Sequence, residues 1–197
     1  MTKPHAKLEA AHPSPVAGVD EVGRGCIAGP VCAAAVILPP SLLSSDIGIK
    51  DSKLLSAKKR SALAEVIWAE AEVGLALIDA PQIDEMNILR AALLAMARAV
   101  ADLPKKPAHC LIDGNQLPDL PMPATAVVGG DRQSISIAAA SIIAKTHRDA
   151  LMQQLHVTYP AYGWDKNAGY GTKTHREALA LVGPSPQHRR SFKPLRS

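Results

Sequence analysis

Short apolar segments recur along this chain between polar, glycine-containing turns, and their length and composition predict strands. Five runs are rich in valine, isoleucine, leucine and alanine and have the length of a strand: residues 16–19, 31–38, 73–78, 110–112 and 124–128. The second run is closed by Pro39 and Pro40, since proline cannot donate to a ladder of hydrogen bonds. The pattern therefore predicts several short, buried strands.

Apolar residues at helical spacing predict the first two helices. Ser56 can cap a helix N-terminus, and the residues Leu63, Val66 and Ile67 that follow form an apolar stripe on one side of that helix. Residues 82–101 carry two neighbouring apolar rows, so we expect one continuous helix there that is largely buried.

Two further helices are predicted in the second half of the chain. Ser134 can cap a helix whose small and apolar residues, 137–144, permit close packing on a sheet. A last helix is predicted over residues 174–182, ahead of a basic tail in which prolines prevent regular structure.

The order of these elements indicates the fold class. Three strands with short links precede alternating helices and strands, which is typical of an α/β protein with a mixed sheet flanked by helices. We expect residues 1–15 to form a flexible N-terminal tail, and residues 16–197 to form a single domain that includes the C-terminal helical and basic segment.

The composition of the chain bears on its cellular compartment and on the class of partner it binds. The first fifteen residues lack the apolar stretch of a signal peptide, and Gly29 and Pro30 interrupt the longest apolar run, so we expect a cytoplasmic protein with no membrane contact. The cysteines Cys26, Cys32 and Cys110 each lie in an apolar run, which suits core residues in a reducing compartment. The net charge of +4 favours a polyanionic partner, but aromatic residues are too scarce for a base-stacking platform.

Carboxylates follow three of the predicted strands. Asp20 and Glu21 end the first, while Asp113 and Asp131 follow two later ones. If these ends converge, the acids repel one another unless they are protonated or bind a cation. Oxygen ligands suit Mg²⁺ or Mn²⁺, and two such ions roughly 4 Å apart could activate water and stabilise the leaving oxygen of a phosphodiester. For each acid alone, a solvated turn is the alternative.

A glycine-arginine-glycine turn, Gly23, Arg24 and Gly25, follows the first acidic pair. Because two glycines have no side chains, the backbone here can approach a sugar or phosphate closely. The Arg24 guanidinium can form paired hydrogen bonds to phosphate oxygens. The alternative is a tight connection between strands. A dinucleotide-binding loop fits poorly because it would need a helix directly afterwards.

Ordered sequence blocks extend this evidence over nearly the whole chain. They are GVDEVGRG (18–25), AGPVCAAAVIL (28–38), DSKLLSAKKR (51–60), NILRAALLAMARAV (87–100), LIDGN (111–115), GDRQSISIAAASIIAKTHRD (130–149), GYGTKTH (169–175) and GPSPQHRRSF (183–192). In these blocks the chain closely resembles bacterial ribonuclease HII, the type 2 ribonuclease H. Type 3 enzymes have a different glycine turn and an additional N-terminal domain, for which we expect no room in this chain.

The resemblance implies a ribonuclease H-like fold and a metal-dependent endonuclease. Its substrates would be RNA–DNA hybrids and single ribonucleotides embedded in duplex DNA, cut on the 5′ side of the ribonucleotide to leave a 3′-hydroxyl and a 5′-phosphate. It further implies two bound Mg²⁺ or Mn²⁺ ions, a role in ribonucleotide excision repair, and a monomeric enzyme. Two rival hypotheses stay open: a catalytically silent module that binds hybrid duplexes, and a nuclease of the same fold that acts on branched DNA.

The resemblance also assigns roles to individual residues. It makes Asp20, Glu21, Asp113 and Asp131 the catalytic metal ligands, makes Gly23, Arg24 and Gly25 the turn that senses a ribose 2′-hydroxyl, and packs Tyr170 on the following deoxyribose. Lys53, Ser141 and Lys145 would contact phosphate or support the site, and Lys145 could instead form a structural bond.

Four further positions complete these expectations. His188 and Arg189 are expected either to bind duplex backbone or to solvate the tail. Gly129 and Gln133 stand where many relatives carry lysine, which bears on affinity for the nucleic acid strand.

Overall fold

The computed structural model of the chain describes residues 4–45, 47–49, 52 and 55–195. Its strands are β1 (Val16–Val22), β2 (Val31–Ile37), β3 (Glu72–Ile78), β4 (His109–Asp113) and β5 (Ala124–Val127). Its α-helices are α1 (Lys7–Ala10), α2 (Pro40–Ser44), α3 (Ala57–Glu70), α4 (Ala80–Met86), α5 (Ile88–Ala101), α6 (Ile135–Thr158), α7 (Trp164–Asn167) and α8 (Lys173–Val182), with short 3₁₀ helices at Gly130–Arg132 and Pro160–Tyr162.

The strands form one mixed sheet in the order β3-β2-β1-β4-β5. β1 pairs antiparallel with β2, and β2 pairs antiparallel with β3, whereas β1 and β4, and then β4 and β5, are parallel. The predicted α/β fold with a mixed sheet flanked by helices is therefore confirmed.

Both faces of the sheet are covered, which explains why β2 is apolar throughout. Ala33 and Ala35 pack into a core cluster with α5, while Cys32, Ala34 and Val36 pack on the other face with α3 and α6. A strand buried on both faces lacks the alternation of a half-exposed strand. All three cysteines are buried free thiols, as expected for core residues.

The predicted caps of two helices are present. The Ser56 side chain accepts a hydrogen bond from the Lys59 N–H at the start of α3, and the Ser134 side chain accepts one from the Ile137 N–H at the start of α6. Each oxygen satisfies an N–H that has no partner inside its helix.

The single helix predicted over residues 82–101 is wrong, since the segment contains two helices that meet at Asn87. Asn87 has a φ of 73°, outside the helical region, and its Oδ1 accepts hydrogen bonds from the N–H groups of Leu89 and Arg90. Asn87 therefore ends α4 and caps α5, because its side-chain oxygen satisfies N–H groups that have no partner inside α5.

Part of the segment expected to be a flexible tail packs against the domain. Glu9 of α1 is buried, and its Oε1 accepts hydrogen bonds from the Ser134 hydroxyl at 2.6 Å and from the Ser136 N–H at 2.9 Å. The negative charge thus lies at the N-terminus of α6, where the helix dipole favours it. Among the described residues, no helix combines the length and the apolarity needed to cross a bilayer.

Candidate active site

Two carboxylates are brought together by the parallel pairing of β1 and β4. Val19 lies opposite Ile112 in this ladder, so Asp20 and Asp113 are the next residues on two adjacent strands at the same edge of the sheet. Burial raises the pKa of the Asp20 carboxyl well above its usual range, and the charges of Glu21 and Asp113 raise it further. The structure therefore brings three of the predicted acids, Asp20, Glu21 and Asp113, close enough for their charges to act on one another.

Asp20 is fixed by bonds from its own strand and from α6. Its Oδ1 accepts a hydrogen bond from the Glu21 N–H at 2.7 Å, and the Ser141 side chain also bonds to its carboxyl group. Ser141 in turn shares a hydrogen bond of 2.9 Å with the buried Ser52 hydroxyl. These contacts oppose the effect of burial on the Asp20 pKa and restrict the rotation of the carboxylate.

Glu21 and Asp113 each have a different partner. The Arg24 guanidinium lies 3.1 Å from Glu21 Oε1, and this contact opposes the burial that raises the pKa of Glu21. Asp113 Oδ1 accepts a 2.6 Å hydrogen bond from the Gly130 N–H. That bond ties the end of β4 to the 3₁₀ helix that carries Asp131, which is itself buried with Arg132 Nε 3.8 Å from its carboxylate.

The donor set at this sheet edge suits a hard divalent cation. The carboxylates offer oxygen atoms only, and the repulsion that Glu21 and Asp113 exert on Asp20 would be relieved by positive charge. Within the described part of the chain, no three His, Cys, Asp or Glu side chains already form a group arranged to hold a metal ion. The assignment of metal ligands therefore stays a prediction that rests on donor chemistry.

A groove of about 310 Å³ adjoins the first acidic pair. Its lining residues are Asp20, Glu21, Val22, Gly23, Arg24, Gly25, Ser52, Ser141, Lys145, Arg148 and Tyr170. Asp113 and Asp131 are not among them, so the acids of β4 and of the following turn lie beside the groove. Lys53 lies outside the described residues.

The glycine turn is closely packed against Arg148 of α6. Gly23 has a φ of +91°, and a Cβ at this position would lie 2.3 Å from Arg148 Nε. Arg148 is buried and donates hydrogen bonds to the carbonyl oxygens of Ala28, Pro30 and Ala168. Only a residue without a side chain fits at position 23, because Arg148 packs directly against it.

Arg148 was missed as a functional residue because a lone arginine in a helical segment carries no sign of burial. Lys145, one turn earlier, was predicted either to contact phosphate or to form a structural bond. Its Nζ lies 2.6 Å from Asp149 Oδ1, so the structural bond is present, and the side chain also lines the groove.

The prediction that His188 and Arg189 bind duplex backbone or solvate the tail is wrong, since both side chains are buried. Arg189 donates hydrogen bonds to the carbonyl oxygens of Arg24 and Gly29, each at 3.0 Å. Asp84 of α4 holds the next residues by accepting bonds from the Arg190 and Ser191 N–H groups. The basic tail thus turns inward and supports the glycine turn.

Two departures from the family pattern have local structural explanations. Gly129 has a φ of +64°, a backbone conformation that residues with a side chain adopt only with strain. The Gln133 side chain donates to the Val128 carbonyl oxygen at 2.8 Å. The effect of both positions on strand affinity stays a prediction.

His188 belongs to a buried polar cluster near the exposed Tyr170. Its Nδ1 accepts a bond from the Ser185 N–H at 3.0 Å, and its Nε2 lies 3.1 Å from His175 Nε2. Burial and the neighbouring His175 lower the pKa of His188 to about 4, and burial also lowers the pKa of His175.

We expect the protein to lose stability as the pH falls from about 6.5 to about 4. In this window the unfolded chain binds protons on His175 and His188 that the folded protein does not accept. The free energy of unfolding therefore decreases as the pH is lowered. The expected loss from His188 is about 1 to 3 kcal/mol, measured by urea unfolding at a series of pH values. An NMR titration of His188 with a midpoint near 6.5 would contradict this expectation.

Comparison with known proteins places this site in a family. Residues 17–195 match the family model described as ribonuclease HII. A ribonuclease HII from Rhizorhabdus wittichii is 53% identical over 195 residues, which cover 99% of this chain and 96% of the relative. A ribonuclease HII from Paracoccus denitrificans is 54% identical over 181 residues, covering 91% of this chain and 85% of that one.

A solved structure agrees with these sequence matches. The ribonuclease H2 of Pyrococcus horikoshii is similar with a TM-score of 0.77 and 27% identity, and the match covers 92% of this chain and 95% of that one. The resemblance predicted from the sequence blocks is therefore confirmed. The chain belongs to the ribonuclease HII family and is a nuclease, an endoribonuclease that cleaves the RNA of RNA–DNA hybrids.

Proposed function

We propose that this protein cuts duplex DNA on the 5′ side of a single embedded ribonucleotide, and cuts RNA–DNA hybrids at the junction, leaving a 3′-hydroxyl and a 5′-phosphate. The observation that carries the proposal is the composition of one groove, in which Asp20 and Glu21 lie beside the glycine turn and Tyr170. The residues proposed to recognise the ribonucleotide and the carboxylates suited to phosphodiester hydrolysis therefore line the same groove.

The proposed chemistry depends on two divalent cations, Mg²⁺ or Mn²⁺, held by Asp20, Glu21, Asp113 and Asp131. Bound cations of this kind lower the pKa of water and stabilise charge on the leaving oxygen of a phosphodiester. The fit rests on the donor set, since buried carboxylates that repel one another favour a bound positive charge.

The chain's own residues would orient the reacting groups. Ser141 holds the Asp20 carboxylate, while Arg24 pairs with Glu21 and limits its movement. Lys145 contributes positive charge on the groove wall, where it would attract phosphate while bonded to Asp149. We assign Ser141 to support of the site, Lys145 both to support and to attraction of phosphate, and Lys53 to phosphate contact by resemblance alone.

Recognition of the ribonucleotide is proposed to lie with the glycine turn and Tyr170. A ribose differs from its deoxyribose neighbours at the 2′-hydroxyl, which donates and accepts hydrogen bonds. Backbone at Gly23 and Gly25 carries no side chain that would hold a sugar away. The Tyr170 ring is close to this turn, since a Cβ added to Gly25 would lie 3.9 Å from its Cε1 atom.

One assay tests the proposal directly. The full chain is incubated with Mg²⁺ or Mn²⁺ and a DNA duplex that contains one ribonucleotide, and the cut is mapped at nucleotide resolution. We expect a single cut on the 5′ side of the ribonucleotide and none in an all-DNA duplex. Binding without a metal-dependent cut would instead favour the silent binding module, and cutting of branched DNA alone would favour the other nuclease hypothesis.

Replacing Tyr170 with alanine should impair cleavage at a lone ribonucleotide by about 10-fold or more, because the ring would no longer pack on the adjacent deoxyribose. Folding should change little, since Tyr170 is 46% exposed. The measurement is kcat/KM on the single-ribonucleotide duplex, with thermal unfolding as the control for structure. Unchanged kcat/KM on that duplex would reject the role assigned to Tyr170.

We further propose that the protein is a cytoplasmic monomer whose partners are RNA–DNA hybrids and DNA that carries ribonucleotides, as in ribonucleotide excision repair. The proposal is supported by the buried apolar clusters on both faces of the sheet, which need no second chain to cover them.

A further inference from the structure

Backbone hydrogen bonds hold the Tyr170 loop, residues 168–172, in which Tyr170 itself is exposed. The Tyr170 N–H donates to the Asn167 carbonyl at 2.9 Å, and the Tyr170 carbonyl accepts from the Thr172 N–H at 2.8 Å. The same carbonyl lies 2.9 Å from His175 Nδ1. His175 is the third residue of α8 and is fully buried, so it joins the loop to a rigid helix.

The neighbours of His175 determine which of its nitrogens carries the proton. The Trp164 indole N–H can only donate, and it lies 3.1 Å from His175 Nε2. His175 Nε2 must therefore accept, which leaves the proton on Nδ1, where it is donated to the Tyr170 carbonyl.

His188 reinforces this tautomer. The Ser185 N–H donates to His188 Nδ1, so the proton of neutral His188 lies on Nε2, 3.1 Å from His175 Nε2, whose single lone pair it shares with the Trp164 N–H. The hydrogen bonds then run in one direction, from Ser185 through His188 and His175 to the Tyr170 carbonyl. Burial lowers the pKa of both imidazoles, which favours the neutral forms that this arrangement needs.

The same segment that carries His188 also supports the glycine turn. His188 pairs with Ala28 in a single antiparallel β-bridge, and the Arg189 N–H donates to the Ile27 carbonyl at 2.9 Å. The Arg189 side chain continues to the Arg24 carbonyl. The histidine pair is therefore one polar link between the Tyr170 loop and the segment of the glycine turn, beside the bonds that the Gly169 carbonyl accepts from the Ile27 and Ala28 N–H groups.

We propose that His175 is a positioning residue that acts through Tyr170: its Nδ1–H holds the Tyr170 carbonyl and so sets the ring over the glycine turn, which determines selectivity for a lone ribonucleotide. The inference rests on the proposed role of Tyr170 in substrate reading. It predicts that loss of the Nδ1 donor lowers cleavage at a single ribonucleotide more than cleavage of a continuous RNA–DNA hybrid.

Two variants of similar size separate the donor from simple packing. In His175→Asn, the amide nitrogen can occupy the place of Nδ1 and still donate to Tyr170, whereas in His175→Gln the amide reaches the place of Nε2 and the donor is lost. The quantity measured is the ratio of kcat/KM on the single-ribonucleotide duplex to kcat/KM on the continuous hybrid. We expect His175→Gln to lower this ratio about 10-fold, and His175→Asn to stay within about 3-fold of the native value.

A double-variant cycle tests whether His175 acts through Tyr170. In the Tyr170→Ala background, His175→Gln should lower the ratio no further. His12→Gln is the matched control, because His12 lies beside His109 at the opposite end of β4 from Asp113, and it should leave the ratio unchanged. A purely structural role would reduce activity on both substrates equally, and an unchanged ratio in His175→Gln would overturn the proposal.

Failure of the proposed function gives a different result. If Tyr170→Ala itself leaves the ratio unchanged, the reading role of Tyr170 fails and the His175 proposal fails with it. If Tyr170→Ala lowers the ratio and His175→Gln does not, only the His175 proposal fails.

A measurement on the native chain covers the case in which His175 variants do not fold. Long-range proton–nitrogen NMR at pH 7 should show His175 protonated on Nδ1 and His188 protonated on Nε2. The opposite tautomer of His175, or a charged imidazole at this pH, would overturn the proposal.

Discussion

Replacing Asp113 with asparagine is expected to reduce hydrolysis by about 1,000-fold or more while the protein still folds and still binds RNA–DNA hybrids. The change removes one negative charge from a set of carboxylates proposed to hold divalent cations, and a loss of this size corresponds to about 4 kcal/mol of transition-state stabilisation. The measurement is single-turnover cleavage with saturating Mg²⁺ or Mn²⁺, together with hybrid binding in the absence of turnover.

The structure indicates why the fold should survive this change. Asp113 Oδ1 accepts a hydrogen bond from the Gly130 N–H, and the asparagine side chain retains an oxygen that can accept the same bond. The variant also removes a charge that repels Asp20. We therefore expect thermal unfolding of the metal-free variant at the same temperature as the native protein or higher.

Asp119→Asn provides the matched control, since Asp119 is an exposed acid in the segment that follows the same strand. It should leave cleavage and the response to metal unchanged. Addition of Mn²⁺ should raise the unfolding temperature of the native protein and of Asp119→Asn more than that of Asp113→Asn. Near-native turnover by Asp113→Asn would refute the assignment of Asp113 as a ligand.

Replacing Gly18 with alanine is expected to have the largest effect on stability. Gly18 lies in β1 beneath the first turn of α6, and an added Cβ would lie 2.1 Å from the Ser136 carbonyl carbon and 2.2 Å from the Ile137 nitrogen. These are backbone atoms, so no side-chain rotation can relieve the overlap. The helix must shift away from the strand or the fold is lost.

We expect Gly18→Ala to lower the free energy of unfolding by more than about 4 kcal/mol, a large part of the stability of a domain of this size. Urea unfolding followed by circular dichroism measures the change. Gly171→Ala is a suitable control because the nearest atom to its added Cβ is an Ile27 methyl carbon at 3.4 Å, which is ordinary contact. A loss of less than about 1 kcal/mol in Gly18→Ala would show that α6 is not held this close to β1.

Several parts of the fold could be predicted because their causes are local. Apolar runs predicted all five strands to within a few residues, and Ser56 and Ser134 were identified as caps from residue type and position alone. The break at Asn87 was missed because the apolar rows of α4 and α5 continue across it and mask the capping signal. Periodicity reports which face is buried, not whether the backbone is continuous.

The charged residues of the second half could not be placed from the sequence. Arg148 and Arg189 look like surface arginines in the sequence, yet both are buried, and carbonyl oxygens of the distant 24–30 segment accept hydrogen bonds from their guanidinium groups. A side chain with so many donors can be buried only where such acceptors converge. That convergence exists only once the chain has folded.

The amino-acid sequence alone determined the order of the strands, the Ser56 and Ser134 helix caps, the family and the identity of the candidate acids, because each of these is expressed in local pattern or in ordered motifs. Only the tertiary structure decided that Asp20 and Asp113 become neighbours, that Gly18 must lack a side chain, and that His175 and His188 connect Tyr170 to the glycine turn. The physical reason is that these features depend on distances between residues far apart in the chain, which strand register and packing set together.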